Sequence, residues 1–171
     1  MASTAPYDAR AVANFLLDLA DSRGVALTQV TLLKLIYFAH GWYLAAHGKP
    51  LVSHDFEAWQ YGPVLKVIRD AFKQFGPSPI TSRANKLVLQ TGEYIRVKSD
   101  LLNTDASFVT AIFEEYANFT PWQLSEMTHE PGSPWHRIWH TQEAVGRIAL
   151  RIRNDDILAH FASIGHRMPI S

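Results

Sequence analysis

The chain has 171 residues, 47% of them hydrophobic and 12% aromatic, enough for one domain, 1–171, with a sizeable core. Its 16 basic residues balance 16 acidic ones, so composition supplies no electrostatic footprint for nucleic acid. It has no cysteine, which excludes disulfides, cysteine-ligated zinc and thiol nucleophiles.

The opening "MASTAPYDAR" lacks the basic start and apolar core of a secretory leader, and no apolar run reaches membrane-spanning length. A soluble, cytoplasmic chain is the expectation. Asp8 caps a first predicted helix whose stripe is Val12, Phe15, Leu16 and Leu19, with Gly24 beyond its end. Thr28 then caps "QVTLLKLIYFAHGWYLAAH", which is apolar nearly all round with Lys34 as its only permanent charge. Such a helix belongs at the centre of a fold, packed on several sides.

"FEAWQYGPVLKVIRDAFKQFG" changes periodicity midway. Phe56, Ala58 and Gln60 alternate with Glu57, Trp59 and Tyr61 as in a strand, whereas Val64, Ile68, Ala71, Phe72 and Phe75 form a helical stripe. Gly62 and Pro63 read as the sharp strand-to-helix corner between them. "KLVLQTGEYIRVK" reads as a hairpin. Thr104 is a cap for a helix over 105–117, and Thr120-Pro121 and Ser133-Pro134 start two short helices. Asn154, with Asp155 and Asp156 in the first turn, opens a last helix burying Ile157, Leu158, Phe161 and Ile164. Only the first few residues and "HRMPIS" look loose. The sum is a mainly α (α+β) fold: a compact helical domain around a central buried helix, with a small antiparallel sheet or hairpin.

Chemistry-bearing candidates are few. His136 and His140 stand four apart and could share a metal with His129, but no Asp or Glu accompanies them in a metalloprotease-like arrangement. His40 could be a general base or a buried, hydrogen-bonded core residue. No nucleophile elbow and no phosphate-binding Gly-rich loop is present. A histidine- or metal-dependent hydrolase is therefore the alternative reading, and no catalytic, cofactor-binding or metal residue is assigned.

"TLLKLIYFAHGWYLAAHGKPL", "FEAWQYGPVLKVIRDAF", "LSEMTHEPGSPW" and "IRNDDILAHF" follow one another as signature blocks do. In that order the chain resembles the Panacea domain family, that of SocA-like antitoxins and phage-associated GepA-like proteins. The block Phe56, Ala58, Trp59, Gly62, Pro63 and Val64 is the most specific. The resemblance implies a helical domain that neutralises a toxin protein by direct binding. In the SocA-like branch it also implies a proteolytic adaptor that delivers the toxin to the ClpXP protease through ClpX. The added helix-turn-helix of some relatives is missing from the sequence, which argues against direct operator binding.

Binding needs a surface rather than a catalytic set. Trp59, Gln60 and Tyr61 are the first candidates, as aromatics on a rigid element make good anchors. Next come Lys66, Arg69 and Lys73 on the following helix, and Trp135, which a stiff Pro-Gly-Ser-Pro loop could display.

Overall fold

The long apolar stretch forms the axis of the molecule. A computed structural model describes residues 3–141 and 150–165. Helix α1 spans Ala9–Ser22 and α2 spans Gln29–His47, with Asp8 and Thr28 capping their first turns as the sequence predicts. Gly48, at φ 67°, closes α2 in the left-handed conformation that favours glycine. Leu33, Ile36, Tyr37 and Leu44 of α2 are all buried, since neighbours cover the helix on nearly every side. The stripe of α1 is centred on Val12, Ala13, Leu16 and Leu17, while Phe15 and Leu19 are half-buried at its edge.

Strand β1 is Phe56–Trp59 and β2 is Gly62–Val64. Helix α3, Lys66–Phe72, and a 3₁₀ turn, Lys73–Phe75, follow. Gly62 and Pro63 are thus not the corner into the helix. They lie within the second strand of a hairpin whose register pairs Trp59 with Gly62, Ala58 with Pro63 and Glu57 with Val64. Gly62 supplies φ 117° directly after the Gln60-Tyr61 turn. Pro63, lacking an N–H, is tolerated because β2 lies at the sheet edge.

Strands β3, Asn85–Val88, and β4, Glu93–Arg96, form the separate hairpin expected from sequence. Asn14 of α1 ties its base down, donating to the carbonyls of Ala84 and Val97 and accepting from the Ala84 N–H. Helix α4 is Asn103–Tyr116, two residues ahead of the expected start, and Thr104 lies inside its first turn rather than capping it. Asp105 is enclosed there and accepts hydrogen bonds from the hydroxyls of Tyr7 (2.6 Å) and Tyr43 (3.0 Å). Those tertiary contacts set the helix start in place of a local cap.

Helix α5, Pro121–Thr128, carries a full capping box from Thr120 and Gln123. Helix α6 is Pro134–Thr141, β5 is Leu150–Ile152 and α7 is Asn154–Ser163. Strand β5 pairs antiparallel with β1, giving the order β2-β1-β5. The described residues form seven α-helices and two small antiparallel sheets, so the fold is mainly α with a minor β component. At Gly41 a Cβ would overlap the Phe161 ring, so this glycine lets α7 lie close against α2. The segment "HRMPIS" lies outside the described residues, as do Met1 and Ala2. The chain is already tied down at Ser3, whose N–H donates to the Asp100 carbonyl at 3.2 Å.

Candidate partner-binding groove

The β1–β2 turn projects its aromatic side chains beside the first turns of α2. Tyr61 is 70% exposed and Gln60 is also open to solvent. Trp59 is half-buried: its indole N–H donates to Glu57 Oε2 at 2.8 Å, and the Arg69 guanidinium lies 5.0 Å from its ring centroid. Trp59, Gln60, Tyr61 and Arg69 thus meet around one groove of about 320 Å³, whose apolar wall includes Val30, Leu33 and Val64.

The other expected residues stand apart from it. Lys66 pairs with Asp70 one turn on, at 3.1 Å, and Lys73 is exposed farther along. Trp135 is not displayed at all, being only 4% exposed. Ser133 Oγ accepts the His136 N–H at the start of α6, and the helix turns Trp135 inward. There its indole N–H donates to the Trp59 carbonyl at 2.7 Å, and its ring stacks with His129 and Trp139. Trp135 is a buttress beneath β1.

Lys34 is the groove residue that periodicity did not assign. It is 2% exposed, and its Nζ donates to the Tyr61 carbonyl at 2.7 Å. Burial pushes its pKa down to about 7, because the charged form loses water. A Cβ at position 62 would collide with Lys34 Nζ and Thr128 Oγ1, so Gly62 provides the space that the ammonium occupies. His129 is also pushed below the usual histidine range, by burial and then by the positive Lys34. The available signal was Lys34 standing as the lone charge in an apolar helix.

The two histidine readings resolve separately. His40 is fully buried: its Nδ1 accepts the Val52 N–H at 3.3 Å, which leaves Nε2 to donate to Asn154 Oδ1 at 2.8 Å. Both ring nitrogens are committed, and burial pushes its pKa down to about 4. The His136 and His140 rings lie 4.4 Å apart. Among the described residues no group of three His, Asp or Glu could hold a metal ion, and no helix is long and apolar enough to cross a membrane.

The described residues thus form a helical domain with an aromatic, partly basic groove. The chain belongs to the SocA-like antitoxin family: the model of the antitoxin SocA-like Panacea domain matches residues 32–136, more than half of its length. Membership in an antitoxin family points to a non-enzymatic role. Among curated proteins it is similar to Antitoxin SocA of Caulobacter vibrioides (strain NA1000 / CB15N), with 38% identity over 131 residues. That match covers 77% of this chain and 70% of the relative. No solved structure matches significantly.

Proposed function

We propose that this chain is the antitoxin of a toxin–antitoxin pair and neutralises a cognate toxin protein by direct binding. The binding surface is the Trp59-Gln60-Tyr61 turn together with the basic residues that follow it, Lys66 and Arg69 of α3 and Lys73 just beyond its end. One observation carries this beyond family membership. Tyr61, a large aromatic, stands 70% exposed on a hairpin held from below by Trp135, next to an arginine stacked on Trp59. Exposed aromatics and arginine on a rigid support are the usual anchors of protein interfaces.

The test is substitution of Tyr61 and Trp59 by Ala, alone and together, with toxin affinity and circular dichroism measured side by side. Tyr61→Ala leaves folding intact and weakens the complex by about 2 kcal/mol. A folded double variant that neutralises at the wild-type dose moves the binding surface elsewhere. The further step, delivery of the bound toxin to the ClpXP protease in the cytoplasm, is read from toxin half-life with and without ClpX. Equal half-lives leave sequestration as the mechanism.

A further inference from the structure

The groove beside β1 poses a charge problem that folding does not solve. Lys34 and Arg69 both line it, and among the described residues neither Asp nor Glu does. Lys34 Nζ reaches one carbonyl, and among the described residues no carboxylate pairs with it. Arg69 lies 3.8 Å from Asp70, which Lys66 already engages at 3.1 Å, and its side chain is 44% exposed. Glu57 is occupied by the Trp59 indole. Gln29 Oε1, also at the groove, is buried without a hydrogen-bond partner, and rotation of that amide would present its NH₂ instead.

The site is built, not accidental. The ammonium sits in space kept clear by Gly62. Val30, Leu33, Val64 and Trp59 line the same groove and supply its apolar surface. A buried cation without a counter-ion is costly, and a carboxylate entering an apolar groove to meet it forms a desolvated, hydrogen-bonded pair.

We propose that the groove is a carboxylate receptor: an Asp or Glu side chain of the toxin enters to pair with Lys34, while an adjoining apolar side chain packs on Leu33, Val64 and Trp59. This rests on the reading of the chain as a toxin-binding protein and supplies the anchor of that binding.

The receptor is tested without the toxin by titrating isovalerate, an apolar carboxylate, against its neutral isostere isovaleramide. The readouts are the NMR signals of the Lys34 side chain and the Trp59 indole N–H. Isovalerate produces a saturable shift with a dissociation constant on the order of 10 mM, as a ligand this small permits. Isovaleramide binds at least about tenfold more weakly, and Lys34→Met removes the preference. Equal binding of acid and amide, or no saturable shift, overturns the receptor. Its use is tested by toxin neutralisation with Lys34→Met, which needs a dose higher by about tenfold or more. A folded Lys34→Met protein that neutralises at the wild-type dose overturns the proposal. So does a toxin that loses binding only when its C-terminal carboxylate is amidated. A wild-type chain that binds no toxin overturns the antitoxin reading instead, and the isovalerate result stands independently of it.

Discussion

Replacing Lys34 with Met removes a charge that the fold has to accommodate, so the variant gains stability. Burial moves Lys34 from its ordinary 10.5 to about 7. At about 1.4 kcal/mol per pKa unit, holding this side chain inside costs the folded state on the order of 4 kcal/mol at neutral pH. Met keeps most of the apolar stem but forfeits the bond to the Tyr61 carbonyl, worth about 1 to 2 kcal/mol. The net gain is about 2 kcal/mol. The pH dependence has a definite sign: the unfolded chain keeps the Lys34 proton until about 10.5, while the folded chain releases it near 7. Between those values the unfolded state binds more protons, so wild-type stability rises with pH, by about 2 kcal/mol over the two units above neutrality. Lys34→Met lacks that rise. Urea denaturation followed by tryptophan fluorescence, in both proteins at both pH values, isolates the Lys34 contribution as a difference of differences. Identical pH slopes, or a variant less stable than wild type at neutral pH, would refute the reasoning.

His40 gives the opposite limb of the pH profile. Burial lowers it from 6.5 to about 4, so its contribution to stability is full above 6.5 and is lost as pH falls towards 4. The unfolding free energy from urea denaturation falls by about 2 kcal/mol near pH 5, and His40→Gln flattens that slope. Gly41→Ala drives a methyl into the Phe161 ring and destabilises by about 1 to 3 kcal/mol. Phe161→Ala in the same chain removes the clash, so a thermal-melt double-mutant cycle shows coupling; additive losses would mean that the two residues do not touch. Gly62→Ala combines φ 117° with displacement of Lys34 Nζ, and costs about 1 to 3 kcal/mol in urea denaturation. Part of that loss returns with Lys34→Met, and a full loss in the double variant would detach Gly62 from the ammonium.

Helices with chemically marked ends were legible. The central helix runs from Gln29 to His47 as expected because Thr28 and Gly48 mark both ends and every face between them is apolar. Strands β2 and β5 escaped notice, being three residues each and existing only by pairing with β1. The Gly62-Pro63 pair has the same local chemistry at a helix start and in an edge strand, and the sheet partner decides between them. Trp135 is likewise decided remotely. Its indole bonds the Trp59 carbonyl 76 residues away, which no loop composition encodes.

The site was half legible for a related reason. Trp59 and Tyr61 were singled out by strand alternation, Gln60 as their neighbour at the corner and Arg69 by a helical face, and all four line the groove. Lys34 was visible as a charge but not as a site, because a lone lysine on a helix normally extends its head to water. Here the hairpin closes over it: Tyr61 takes the ammonium and Gly62 leaves room for it. Lys34 and Tyr61 are 27 residues apart, so the enclosure is a tertiary property. At Lys34 local preference and the folded structure disagree, the kind of conflict that natural folds retain at functional positions and offset elsewhere. A side chain kept only for packing would be better served by Met, and a charge kept for solubility would not be 2% exposed. What remains is a cation enclosed against water yet bordering an open groove, an arrangement that becomes favourable once an anion from outside completes it.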